Sequence, residues 1–217
     1  MKQYIIDAEF MKAQRELIEA GKELYTRGWV PATSGNFSAR LSDGTIAITV
    51  SGRHKGKLQV GDFLLLSPDG TPVRGSDTSL KPSAETLLHL QIYRKIPQAG
   101  AVLHPHSPNA TLLSRLSQKE IILQDYELLK AFEGIKTHDC RIHVPIFPND
   151  QNIERLSSKI EEYFEKQLPR YEPFAGYLIG GHGFYTWGNK VEDAMRHVEA
   201  FEFLFDCEIR LHGGKIK

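Results

Sequence analysis

His104 and His106 stand two residues apart in the run Ala101-Val102-Leu103-His104-Pro105-His106-Ser107. In an extended strand, side chains at that spacing leave from the same face, so both imidazoles can aim at one point. They would supply two of the three neutral nitrogen donors that an open catalytic zinc site uses. A third candidate is His182 in Gly180-Gly181-His182-Gly183, where flanking glycines free the backbone and leave room beside the ring for a ligand. Taken singly, each histidine reads as an ordinary hydrogen-bonded side chain, and His182 as a passenger on a glycine hairpin. Taken together they form a donor set with positions to spare. A metal held this way polarises a carbonyl and acidifies the neighbouring C–H, which makes enolisation of a sugar-like substrate feasible.

Three short segments could hold an anion: Thr33-Ser34-Gly35-Asn36, Thr49-Val50-Ser51-Gly52-Arg53 and Lys81-Pro82-Ser83-Ala84-Glu85. Each puts small donors at a turn or at the start of an element, where backbone N–H groups are free to meet a phosphate. Each alone is equally well read as turn and capping chemistry. The basic run Arg53-His54-Lys55-Gly56-Lys57 reads as a solvated loop. Glu85 sits near the predicted start of a helix, where its simplest role is to compensate the helix dipole. Glu127, taken by itself, reads as a solvated charge on a helix face.

The elements that must position these groups alternate along 217 residues, a length suited to one α/β domain spanning 1–217. Helical spacing of Phe10, Leu17, Ile18, Leu24 and Tyr25 predicts a first helix over 6–27, closed by Gly28. Strands are predicted at 37–41, 45–50 and 63–67, a helix at 83–93, the histidine strand at 101–106 and a helix at 109–116 capped by Ser107-Pro108. Residues 123–132 read as a short polar-apolar segment, 141–147 as a strand, and 152–167 as a helix. Residues 175–179 and 184–187 read as extended, and 191–211 as the last helix. The expected fold is α/β with a mixed, largely antiparallel sheet.

Lysine plus arginine and aspartate plus glutamate both number 27, interspersed, which excludes nucleic acid or an anionic membrane as the main partner. The first residues lack the apolar core of a secretory signal, and the two cysteines, Cys140 and Cys207, form no CxxC pair. A cytoplasmic protein with reduced, buried thiols is expected. Of the other histidines (54, 89, 138, 143, 197 and 212), most are expected to be surface or structural; His138 is the reserve candidate for orienting substrate.

The segments Ser34-Gly35-Asn36, Ser51-Gly52, Ser83-Ala84-Glu85, His104-Pro105-His106-Ser107 and Gly181-His182-Gly183, in this order over nearly the whole chain, resemble the class II aldolase and adducin-like family. The resemblance implies a three-layer α/β/α domain with one zinc ion on His104, His106 and His182. It places Asn36, Ser51, Gly52 and Ser83 around a substrate phosphate. It also implies a homotetramer with active sites near subunit boundaries. Within the family, Asp125-Tyr126-Glu127-Leu128-Leu129-Lys130, Thr137-His138 and Gly181-His182-Gly183-Phe184-Tyr185-Thr186-Trp187-Gly188 resemble the branch that removes water from 5-methylthioribulose 1-phosphate in methionine salvage. That branch implies Glu127 as the leading acid/base, whereas Glu85 matches the position used by the aldolases. Where some members carry two serines before the glutamate, this chain has Ser83-Ala84, one hydroxyl fewer. An aldolase or epimerase acting on another sugar phosphate, and a non-catalytic adducin-like interaction module, are the competing readings.

Overall fold

A computed structural model describes residues 2–73, 79–117, 119–167 and 173–211. Its centre is one eight-stranded sheet. The strands are β1 (Asn36–Arg40), β2 (Ile46–Thr49), β3 (Phe63–Leu66), β4 (Ala101–His104), β5 (Glu120–Gln124), β6 (Arg141–Phe147), β7 (Gly176–Ile179) and β8 (Gly183–Gly188). They lie in the order β3-β2-β1-β4-β8-β7-β6-β5, and every neighbouring pair is antiparallel except β6 with β7. The expected mixed, largely antiparallel sheet is therefore present, and β4 and β8, which carry the histidine motifs, are adjacent at its middle.

Helices cover both faces. On one side α1 (Lys2–Thr26), α3 (Pro108–Leu116) and α5 (Val191–Leu211) bury Leu17, Leu24, Leu113, Val198, Phe201 and Phe205 against Phe37, Leu103 and Phe184. On the other, α2 (Thr86–Lys95) and α4 (Ile153–Gln167) bury Leu88, Ile92, Leu156, Ile160 and Phe164 against Val102, Tyr177 and Tyr185. Alternate residues of the central strands thus serve opposite cores, which is why these strands read as continuous apolar runs.

Two predicted elements are corrected. The helix expected from residue 83 begins at Thr86; Ser83 and Glu85 form the preceding turn, in which the Thr86 N–H donates to the Ser83 carbonyl at 3.1 Å. The segment expected at 123–132 divides into edge strand β5 and a 3-10 turn, Glu127–Ala131. In β5 only Ile121 and Leu123 are buried, an alternation too short to stand out among the charged and amide residues around it. The Ser107 cap is as predicted: its hydroxyl accepts from the Ala110 N–H at 3.2 Å, with Pro108 opening the helix. The cysteines are free but only half-buried, not buried as expected.

Candidate active site

His104 ends β4, and Pro105 then breaks the ladder, so His106 lies on the connection to α3. His182 sits in the tight turn between β7 and β8. Pairing of β4 with β8 closes the distance between the two motifs, and the turn is drawn in closely. A Cβ on Gly183 would stand 2.3 Å from the Pro105 carbonyl oxygen, so only glycine allows this approach. The three rings then crowd together, with centroids 4.6 Å apart for His104 and His106, 5.1 Å for His104 and His182, and 4.3 Å for His106 and His182.

Glu85 joins them. One nitrogen from each histidine and one Glu85 oxygen all lie within 4.8 Å of one another. Glu85 Oε2 is 3.3 Å from His104 Nε2, and Oε1 is 3.7 Å from His182 Nε2. The carboxylate makes no helix-capping bond, so the dipole role expected for it gives way to a place in the cluster. Burial disfavours its charge, but His104, His182 and the Asn36 amide together hold its pKa well below the usual carboxylate range. Burial first, and then the neighbouring His104, pull His106 down to about 2 and His182 down to about 4. Both rings are therefore neutral donors at physiological pH.

This donor set fits a divalent cation. His104 Nδ1 donates to the Phe184 carbonyl at 2.8 Å, which fixes the tautomer and leaves Nε2 as the inward-facing lone pair. His104 Nε2 and His106 Nε2 face each other at 2.9 Å, so both rings turn a nitrogen toward the same point. Tyr185 stacks on His104 with centroids 4.0 Å apart and planes 9° from parallel, so the ring cannot tilt freely.

Behind Glu85 runs a hydrogen-bonded chain that sequence reasoning did not anticipate. Asn36 Nδ2 donates to Glu85 Oε2 at 2.7 Å, and Asn36 Oδ1 accepts from His89 Nε2. His89 Nδ1 then accepts from Ser38 Oγ at 2.7 Å, and Ser38 Oγ meets Tyr93 Oη at 2.8 Å. His89 is fully buried, and burial pulls its pKa to about 3, so its neutral ring is a relay of orientation. Its signal was a histidine on the inner face of a helix, indistinguishable in sequence from any core histidine.

Ser51, Gly52 and Ser83 line the same cleft, about 320 Å³, together with Asn36, Glu85 and His182. The expectation of free backbone donors there needs correction at two positions. The Ser51 N–H donates to the Lys81 carbonyl at 2.9 Å and the Ser83 N–H to the Thr49 carbonyl at 3.2 Å, so these serines offer hydroxyls instead. Gly35, at φ +76°, lets the first loop pass against β4; a Cβ there would stand 2.6 Å from the His104 carbonyl oxygen. Lys55 also lines the cleft and is buried, contrary to the solvated loop expected for its neighbourhood.

The chain matches the family model described as Class II Aldolase and Adducin N-terminal domain over residues 15–209. The chain belongs to the class II aldolase and adducin family. It is 62% identical over 209 residues, 96% of this chain and 98% of the relative, to a protein named methylthioribulose-1-phosphate dehydratase from Methylococcus capsulatus. A protein of the same name from Azotobacter vinelandii is 54% identical over 198 residues, 91% of this chain and 93% of the relative. L-fuculose-1-phosphate aldolase from Thermus thermophilus shares the fold at a TM-score of 0.70, with 23% identity, covering 93% of this chain and 96% of that one.

Against the class II aldolase pattern, the structure brings together His104, His106, His182, Glu85, Asn36, Ser51, Gly52 and Ser83. It does not bring Glu127 to them within one chain. Glu127 is 73% exposed, paired with Lys130, and 3.6 Å from His138 Nδ1. It lines a separate groove of about 830 Å³ that also exposes Leu128 and Phe203. Of the remaining histidines, His143 pairs with Glu120 at 2.9 Å. His197 is buried, with Nδ1 donating to the Trp187 carbonyl and Nε2 accepting from the Glu133 N–H. His54 packs its edge on Tyr25, and His212 lies outside the described residues.

Proposed function

We propose that this single-domain chain is a hydro-lyase that converts 5-methylthioribulose 1-phosphate to 5-methylthio-2,3-dioxopentyl phosphate, a step of methionine salvage. The observation that carries this reading is the convergence of three imidazole nitrogens and the Glu85 carboxylate in a cleft lined by serine hydroxyls, in a chain so close to named dehydratases. His104, His106 and His182 would hold the ion, with zinc as the metal their neutral nitrogens suit. When bound, it supplies Lewis-acid polarisation of the substrate's carbonyl and hydroxyl oxygens. Asn36, Ser51, Gly52 and Ser83 would receive the phosphate.

Dehydration takes the C3 proton and expels the C4 hydroxyl with a second proton, so one group must accept and one must donate. The enol left behind ketonises to the 2,3-diketone. Glu85, ionised and beside the imidazoles, can accept a proton at Oε1 or Oε2. Glu127 is the leading acid/base in our reading and would be delivered by a neighbouring subunit. Its exposure, and the apolar groove it lines, support a homotetramer whose contacts cover Leu128 and Phe203. No helix among the described residues is long and apolar enough to cross a membrane. The free thiols of Cys140 and Cys207 suit the reducing cytoplasm in which we place the enzyme.

An aldolase or epimerase is the second reading, favoured by the place of Glu85 inside the cluster. The intact donor set argues against a non-catalytic interaction module. Metal-loaded protein incubated with 5-methylthioribulose 1-phosphate, with and without chelator, and followed by mass spectrometry separates these. Chelator-sensitive loss of one water is the expected result; smaller carbonyl fragments would identify an aldolase, and unchanged substrate would sink the dehydratase.

A further inference from the structure

Lys55 is 2% exposed, and both hydrogen bonds made by its ammonium go to neutral acceptors: the Thr33 carbonyl at 2.9 Å and the Arg53 carbonyl at 2.6 Å. No carboxylate pairs with it among the described residues. Asp62 acts on it only at a distance and is itself engaged by Arg53 at 2.9 Å. A buried charge without an ionic partner is costly, and proteins rarely keep one that nothing answers. Lys55 lines the cleft, and among the described residues that do so it is the one lysine or arginine. The two carbonyls it grips belong to the loops that carry Asn36 on one side and Ser51-Gly52 on the other.

We propose that Lys55 is the positioning cation of the phosphate subsite: it ties the 33–36 and 51–53 loops at a fixed spacing and supplies the positive charge that a phosphate monoester dianion answers. This rests on the phosphate reading of those loops given above. The geometry explains why the chain tolerates an ammonium in so dry a place, where burial draws its pKa down to about 8 even with Asp62 opposing. An ammonium has three donors, and the two carbonyls occupy two of them. Lys55 is assigned no part in proton transfer; its effect falls on binding, and on ligands that carry phosphate.

The test compares wild type, Lys55→Met and Ser51→Ala, all metal-loaded, by the KM and kcat for 5-methylthioribulose 1-phosphate and by the inhibition constant of inorganic phosphate. Lys55→Met should raise both KM and the phosphate inhibition constant on the order of 30-fold, the loss expected for a charge-assisted contact, with kcat changed far less. Metal content and melting temperature report whether the variant is folded; Lys55→Gln, which keeps an amide's donors but not the charge, replaces it if it is not. If Ser51→Ala weakens phosphate and neither Lys55 variant does, the Lys55 assignment falls while the phosphate subsite stands. If no variant alters phosphate inhibition, or wild type shows none, the subsite reading falls and takes the inference with it.

Discussion

Asn36 and Glu85 are joined by a 2.7 Å hydrogen bond, and Asn36 stands opposite His104 in the pairing of β1 with β4. One residue of the first strand thus fixes the carboxylate against the imidazoles while its own amide is held from behind by His89. Asn36→Ala removes a donor that lowers the Glu85 pKa, so the pKa should rise. If the ionised form is the one that works, the acidic limb of the kcat/KM profile moves to higher pH. An unmoved limb would mean that Glu85 does not titrate in the reaction.

His106→Ala should lose metal and turnover together while keeping its fold, because the rest of the β4–β8 core does not depend on that ring. Metal analysis, turnover and far-ultraviolet circular dichroism on one preparation decide the matter. Full activity would remove His106 from the ligand set. An open site is less essential to folding than a closed structural one, so the melting temperature should change modestly.

Glu127→Gln should retain metal and slow turnover by roughly two decades or more if Glu127 is the general acid/base. Near-normal turnover would move the role to Glu85. Since Glu127 does not reach the histidines of its own chain, mixing this variant with His106→Ala should restore activity. Random assortment of two inactive parents leaves about a quarter of shared sites intact. No recovery after mixed refolding would place the whole site in one subunit. His138→Ala, beside Glu127 at 3.6 Å, should raise KM if His138 orients substrate. Unchanged KM and turnover would dispose of that role.

Glu202 is buried beneath α3, taking hydrogen bonds from Ser107 Oγ and, at 3.3 Å, from Asn109 Nδ2. Burial raises its pKa to about 7, above the ordinary 4.5, although the two donors pull the other way. A carboxyl that binds its proton more tightly in the folded state stabilises below the unfolded value and loses that contribution as pH climbs to about 7. Glu202→Gln, which cannot ionise, should therefore gain on wild type between pH 5 and pH 8, by about 5 °C in melting temperature. A constant difference across that range would show that Glu202 stays ionised throughout.

Much of the fold was legible because its signals are local. The 141–147 strand, the Ser107-Pro108 cap and the Gly28 helix end each announce themselves within a few residues. The histidine donors were legible for the same reason, two of them through strand periodicity and one through its glycines. What the sequence concealed depends on distant partners. Lys55 looks like any lysine in a basic run until α1 and the 33–36 loop close over it. His89 looks like a core residue until Asn36 is placed beside it. Glu85 lies where a helix dipole would want it, and only the turn at Ser83 shows its carboxylate going elsewhere. Glu127 matched a family position, but its surroundings in the fold are Lys130, His138 and solvent, none of which a motif encodes.

His104 reaches its tautomer-setting partner, the Phe184 carbonyl, across 80 residues of chain. The donor set therefore does not exist in any local fragment; it forms only once the central strands have found each other. Ion capture is in this sense a clock for folding, and nascent chains that have not yet emitted β7 and β8 offer the cell's metal pool only the His104 and His106 pair. A refolding experiment with a metal-responsive dye should see uptake follow, and never precede, the burial of Trp187 on β8.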